Sequence, residues 1–256
     1  MKTITLLSDF GLKDSYVGIM KGVILSIFSD VRIVDITHEV DPQDVREGAF
    51  IIEEYYRYFE KGTIHMAVVD PTVGSDRRSI VFSKGGHFFI GPDNGVFTLL
   101  YDDSVLVYAI ENSRYMLRDI SSTFHGRDIF APAAAYLASG VQPSTFGSTV
   151  SDPVLLRDLN PIIDKNVLKG EVVRFDRFGN GITNIAKTVI DGFIKQKTFT
   201  IQFRGMSFRK IQKSYYEGEV VPLIGSSDYL EFGYFKGNLR EKLGLKKGDQ
   251  VTIKIS

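Results

Sequence analysis

VVDPTVGSDRR, residues 68–78, follows GTIHMA, so an apolar run closing on Ala67-Val68-Val69 reads as the tail of a buried strand. The run breaks at Asp70-Pro71, a turn pair, and continues through Gly74 and Ser75 into the charged Asp76-Arg77-Arg78. A carboxylate at the carboxyl end of a buried strand, with an arginine-bearing glycine loop behind it, is where an open α/β sheet holds a ligand. The same residues also suit a surface turn with a solvated charge cluster, and the rest of the chain decides between the two.

Toward the N-terminus, TITLLS (3–8) reads as a first buried strand ending at Asp9-Phe10-Gly11. DSYVGIMKGVILSIFSD (14–30) has helical periodicity, with Val17, Met20, Ile24 and Ile27 on one stripe and Asp14 or Ser15 placed to cap it. VRIVDIT (31–37) is a second strand. DPQDVREGAFIIEEYYRYFE (41–60) is a second helix, with Val45, Ala49, Ile52 and Tyr56 inward and Gly62 closing it. Strands alternating with helices at this spacing predict right-handed crossovers and a largely parallel sheet.

Beyond Asp70, SIVFSK (79–84) and HFFIG (87–91) are joined by Gly85-Gly86, a hairpin signal. Pro92-Asp93-Asn94-Gly95 is turn chemistry leading into a short helix, VLVYAI (105–110) is another strand, and SSTFHGRDIFAPAAAYLASG (121–140) leads into an alanine-rich helix. Residues 141–167, with Pro143, Pro153 and Pro161 and little periodicity, read as running into a connector. From residue 168 the pattern changes to short alternating strands, which predicts a small antiparallel β barrel or sandwich. The expected fold is therefore α/β: an N-terminal α/β domain (1–150) with a mainly parallel sheet, a linker (151–167), and a C-terminal antiparallel β domain (168–256).

The chain has 256 residues, 31 Lys+Arg against 31 Asp+Glu, and no cysteine. Zero formal charge favours neither nucleic acid nor an anionic membrane as partner, and a small molecule suits it better. The absence of cysteine excludes disulfides, a thiolate nucleophile and Cys-based metal sites. MKTITLLSDFG turns acidic too soon for a signal peptide, and no apolar run reaches the roughly 18 residues of a membrane span, so a soluble cytoplasmic protein is expected.

His38, His65, His87 and His125 form no paired-ligand motif, which argues against a histidine metal site. His65 and His87 read as structural, whereas His38 ends the second strand on the rim that carries Asp9 and Asp70. His125 sits in Phe124-His125-Gly126-Arg127-Asp128 before a helix, where it suits a capping or core role as well as a site. Asp9 and Asp14 flank a Phe-Gly loop, where a carboxylate can accept both hydroxyls of a ribose. There is no GxGxxG, GxxxxGK[ST] or GxSxG. The residues alone give a two-domain protein with an acidic rim bearing arginine and histidine, and name no substrate.

SDFGLKDSYVGIMKGVI (8–24), ITHEVDPQD (36–44), VVDPTVGSDRRSI (68–80), GPDNGVF (91–97), FHGRDIFAPAAA (124–135) and DRFGNGITNI (176–185) occur in this order across both domains. Together they resemble the S-adenosylmethionine (SAM) hydroxide adenosyltransferases, or SAM hydrolases, relatives of the fluorinase and chlorinase enzymes. The resemblance implies attack on the 5′-carbon of SAM with expulsion of methionine, by water in the hydrolases and by halide in the halogenases, with no metal and no cofactor. It implies a catalytic set of Asp70, Arg77 and His125, with Asp9 on the ribose hydroxyls and Asp14 at the methionine end. Asp176, Phe178, Asn180, Ser226 and the backbone around Leu239 resemble adenine and methionine contacts. A homotrimer with sites at subunit interfaces is implied as well.

Three positions depart from the pattern: Ser227 stands where halogenases carry arginine, Leu239 is bulkier than the usual residue, and Thr72 replaces a glycine. Halogenases resemble this chain less at the nucleophile, with tyrosine at the position of Asp70 and threonine at that of Val73. The expected activity is SAM hydrolysis to adenosine and methionine. The alternatives are a SAM-dependent halogenase or a non-catalytic SAM or adenosine sensor. A methyltransferase would carry a glycine-rich loop after the first strand, which SDFGLKD does not resemble.

Overall fold

The computed structural model describes residues 1–255, which divide into two compact units, residues 1–156 and 157 onward. The first contains β1 (Lys2–Ser8), α1 (Tyr16–Ile27), β2 (Val31–Thr37), α2 (Val45–Tyr55), β3 (Ile64–Val68), β4 (Ser79–Lys84), β5 (His87–Pro92), β6 (Val107–Ala109), α3 (Ala131–Ala138) and β7 (Thr149–Val150). The seven strands are ordered β2-β1-β3-β5-β4-β6-β7. Ladders are parallel from β2 through β5 and antiparallel beyond, so β1, β2, β3, β5 and β6 point one way and β4 and β7 the other.

The Gly85-Gly86 hairpin forms as its sequence predicts, both glycines at positive φ. Its second strand, not its first, lies beside β3, because β5 can continue the parallel run that β3 begins. Alternate strand residues feed two cores. Ile4, Leu6, Met66 and Val68 pack with Val17, Met20 and Ile24 of α1 and with Phe130 and the alanines of α3. Leu7, Ala67, Val69 and Phe89 pack with Ile52 and Tyr56 on the α2 side.

Two local expectations change. Ser15 occupies the cap position of α1 without a side-chain capping bond, so α1 is held by its apolar stripe and not by a cap. α2 starts at Val45, where Asp44 accepts from the Glu47 amide at 2.8 Å, because Gln43 adopts positive φ and breaks the run from Asp41.

The second unit contains β8 (Ile162–Asp164), β9 (Val167–Phe175), β10 (Gly181–Ala186), α4 (Lys187–Ile194), β11 (Phe199–Phe203), β12 (Met206–Phe208), β13 (Val220–Ile224), β14 (Tyr229–Tyr234), α5 (Leu239–Leu243) and β15 (Gln250–Ile255). Its antiparallel order is β12-β11-β15-β9-β10-β14-β13, with β8 on β9, so part of the 151–167 stretch is strand. Phe203 of β11 stacks on Phe232 of β14 with centroids 4.0 Å apart. In a flat sheet strands four places apart would lie ~19 Å from each other. The sheet is therefore strongly curled into a nearly closed, barrel-like form around Leu168, Val172, Ile201 and Val251. Among the described residues, no helix is long and apolar enough to cross a membrane.

His65 and His87 are both buried in the first unit, as expected of structural histidines. His65 Nδ1 lies 2.9 Å from Thr5 Oγ1, and its Nε2 lies 3.2 Å from His87 Nδ1. Burial, then the neighbouring His87, pushes the His65 pKa down to about 3, and burial also lowers His87. Below the ordinary value near 6.5 the unfolded chain takes protons that the folded chain refuses. Stability is thus unaffected by this group above that pH and falls as pH drops through 6.5 toward 3. Unfolding free energies from urea denaturation between pH 7.5 and 5 should decline below pH 6.5 by up to about 1.4 kcal/mol per pH unit on account of His65. His65→Gln should flatten that slope, and an unchanged slope would refute the assignment.

Candidate active site

β1, β2 and β3 are parallel neighbours, so their carboxyl ends place Asp9, His38 and Asp70 along one rim. His38 is spent there on structure: Nδ1 lies 2.7 Å from Ser8 Oγ and Nε2 3.1 Å from Asp35 Oδ1. Asp9 Oδ2 accepts from the Gln43 amide at 2.8 Å and stays partly exposed. Asp14 is exposed.

Asp70, two residues past β3, meets Arg77, two residues before β4. Arg77 Nε donates to both carboxylate oxygens at 3.0 Å, and Nη2 donates to Oδ2 at 2.5 Å. The side chains are 4% and 6% exposed, a buried ion pair. Nη2 also donates to His125 Nδ1 at 2.7 Å, and Nη1 donates to Ser79 Oγ at 2.9 Å and to the Arg78 carbonyl at 3.3 Å. All five guanidinium hydrogens are thereby assigned. The guanidinium carbon also lies 5.3 Å from the centroid of the Phe130 ring. Arg78 turns elsewhere, to Asp93 and Asp152 at 2.7 Å.

The contact with Arg77 fixes the state of His125. Arginine cannot accept, so Nδ1 accepts and the neutral ring carries its hydrogen on Nε2. Burial first, then the Arg77 charge, holds the His125 pKa below the ordinary imidazole value, against the opposing Asp70 and Asp128. His125 heads a π-helical turn, Gly126–Phe130, that runs into α3. Beside the triad lies a cavity of about 30 Å³ lined by Phe10, Val68, Asp70, Val73, Phe124 and His125, among others. That is enough room to hold a water molecule. Phe10, Tyr16 and Phe124 pack edge to face beside it, 5.1–5.9 Å apart.

In the second unit, Asp176, Phe178, Asn180 and Ser226 line one cleft of about 790 Å³. The Asp176 carboxylate is spent within its own turn, accepting from the amides of Phe178 and Asn180 and from Asn180 Nδ2 at 2.8–3.0 Å. Phe178 is 73% exposed, an aromatic face offered outward. The Leu239 side chain is fully buried in the unit's core, and Gly237 and Asn238 line the cleft in its vicinity. Its bulk is therefore absorbed inward, not set against a ligand.

Sequence reasoning passed over Ser79, Phe130, Tyr215 and Glu231. Each meets the candidate residues only through long-range packing, apart from Ser79, whose place two residues after Arg77 was a signal available in the sequence.

Residues 4–147 match the family model described as SAM hydroxide adenosyltransferase N-terminal domain, and residues 170–252 match that of its C-terminal domain. The chain is 37% identical to an (R)-S-adenosyl-L-methionine hydrolase of Thermus thermophilus, over 99% of this chain and 100% of that protein. A fluorinase of an Actinoplanes species is less similar, at 29% identity over 73% of each chain. Among solved structures, an uncharacterized conserved protein from Thermotoga maritima superposes with a TM-score of 0.87 at 32% identity, covering 99% of this chain and 100% of that one.

Gly74 holds the Asp70–Arg77 loop against the segment leading to His125. Its φ is +80°, and a Cβ there would lie 2.1 Å from the Ser122 carbonyl oxygen. Gly74→Ala should lower unfolding stability by about 2 kcal/mol or more, read from urea denaturation, and a neutral outcome would contradict this packing.

Proposed function

The chain belongs to the SAM hydroxide adenosyltransferase family, and from that premise we propose that it hydrolyses S-adenosyl-L-methionine to adenosine and L-methionine. The observation that carries the reading is the water-sized cavity lined by Asp70 and His125 and backed by Arg77.

The sulfonium is already a good leaving group, so the chemistry asks for neither a protonated leaving group nor a Lewis acid, and SAM is the substrate with no cofactor beside it. The protein must hold one water about 3 Å from the 5′-carbon, in line with the departing sulfur, and exclude competing solvent. Water's pKa of about 15.7 makes it a poor nucleophile. Asp70 accepts its hydrogen bond and draws its proton as the carbon–oxygen bond forms. His125, whose Nδ1 is taken by Arg77, offers Nε2–H to one water lone pair and leaves the other for carbon. Arg77 pairs with the Asp70 carboxylate and helps keep the imidazole neutral.

In this reading Asp9 takes the ribose hydroxyls and Asp14 the methionine end. The second unit's cleft takes the purine, through Phe178, Asn180, Ser226 and the backbone beside Leu239, with Asp176 shaping the turn that presents them. The reading goes with a cytoplasmic homotrimer with sites at subunit interfaces. Its support in this chain is that α1 leaves the large apolar side chains of Ile19 and Leu25 exposed on its outward side.

Purified protein given SAM in heavy-oxygen water should release methionine and adenosine bearing one heavy oxygen at the 5′-hydroxyl. SAM binding without adenosine would favour a sensor, and a halide requirement would favour a halogenase. Asp70→Asn or His125→Ala should lower kcat roughly 10²–10⁴-fold with little change in SAM affinity. Activity should also fall on the acid side with an apparent pKa below 6.5, because a protonated His125 would turn a second donor toward Arg77. Equal losses in kcat and affinity would reassign both residues to binding.

A further inference from the structure

Asn180 is 5% exposed, and its side-chain amide is fixed from two sides. Nδ2 donates to Asp176 Oδ2 at 2.8 Å and to the Tyr215 phenol oxygen at 3.4 Å. Asp176 offers acceptors only. A tyrosine hydroxyl can face a neighbour either way, but here its hydrogen goes to Glu231 Oε1. Glu231 is itself 4% exposed. Burial first, then the hydrogen bond and charge of Glu231, raise the Tyr215 pKa, so the phenol keeps that hydrogen. Its lone pair is what remains for Asn180.

An amide flanked by two acceptors has one orientation that satisfies both, with its amino group between them. Flipping it would set carbonyl oxygen against carboxylate. Both Nδ2 hydrogens are therefore used, and Oδ1 is left without a donor among the described residues. Asn180 lines the cleft of the second unit, whose walls include Phe178, Tyr215, Tyr234 and Phe235. Aromatic faces of this kind receive a flat ring. In the proposed substrate the purine is the flat ring.

We propose that Tyr215 and Glu231 are specificity-positioning residues: buried Glu231, through Tyr215, holds the Asn180 amide with its carbonyl unpaired toward the cleft, which selects a 6-amino purine over a 6-oxo purine. This rests on the hydrolase reading, which supplies the purine. An exocyclic amine donates to Oδ1. A 6-oxo group sets a second acceptor against it, leaving two desolvated oxygens facing one another. The selection comes from the amide's direction and not from its presence; Asp176 and Tyr215 hold that direction together, and Glu231 fixes which way the phenol's hydrogen points.

The test compares kcat/KM for SAM and for its deaminated analogue, S-inosyl-L-methionine, in the wild type, Tyr215→Phe and Glu231→Gln. The wild type should prefer SAM by about 10²-fold. Tyr215→Phe should shrink that preference at least tenfold while SAM turnover persists, since the chemistry at Asp70 is untouched. Glu231→Gln, which can donate to the phenol oxygen and turn its hydrogen toward Asn180, should shrink it similarly. A loss of packing alone would depress both substrates in parallel and leave the ratio intact. A wild-type ratio near unity, or an unchanged ratio in a folded Tyr215→Phe protein, would overturn the proposal. Should the wild type turn over neither compound, the hydrolase reading falls, and the ratio of calorimetric Kd values decides the amide assignment by the same criterion.

Discussion

A guanidinium cannot shed its proton, so burying Arg77 obliges the surrounding chain to supply an acceptor for every one of its hydrogens. Those acceptors come from three separate places: Asp70 past the end of β3, Ser79 and the Arg78 carbonyl at the start of β4, and His125 before α3. The sheet order makes this possible. Because β5 lies between β3 and β4, residues 69–78 must cross its carboxyl end, which returns Arg77 to the rim that Asp70 occupies. Phe130 underneath and Gly74 against Ser122 then bring the His125 segment up to the same point. The charge pair is costly to bury, and the fold around it is arranged to satisfy it.

The second unit applies the same logic to neutral groups. Its turn at residues 176–180 closes on Asp176, whose oxygens satisfy two backbone amides and one side-chain amide. Gly179, at φ +81°, lets Asn238 approach where a Cβ would lie 1.9 Å from its Oδ1. Asn238 caps α5 by accepting from the Glu241 amide, and that places Leu239 in the core. Inward groups are consumed by one another, and the cleft beside them is walled by Phe178, Tyr215, Tyr234 and Phe235 together with polar residues such as Ser226 and Lys236.

The sequence made the strand–helix alternation legible because each element carries its own apolar period and its own punctuation, as at Gly62 and Gly85-Gly86. It also made Asp70, Arg77 and His125 legible as a group, though by resemblance and not by spacing: 48 residues separate Arg77 from His125. What stayed hidden was directional. Nothing local says that β5 and not β4 joins β3, because a hairpin can present either edge. Nothing in DRFGN shows that Asp176 turns inward, or that Tyr215, 35 residues on, completes the orientation of Asn180. Ser15 shows the converse failure: the right residue type stands at a helix start, in an αR conformation that leaves its side chain without a capping bond.

The triad's hydrogen-bond inventory also bears on which nucleophile fits. One argument against halide is that a carboxylate repels it, but Asp70 is paired with Arg77, which weakens that repulsion. The stronger argument counts donors. With all five guanidinium hydrogens committed, Arg77 has none to offer an anion, and neutral His125 has only Nε2–H. A desolvated halide needs several donors to replace its hydration and would find one here, facing an acceptor-only carboxylate. Water needs one of each kind: a water held here would donate to Asp70, accept from His125 and keep a lone pair free. An ion pair locked against a neutral imidazole is thus a poor halide site and a well-matched water site, and the match depends on Arg77 being fully occupied.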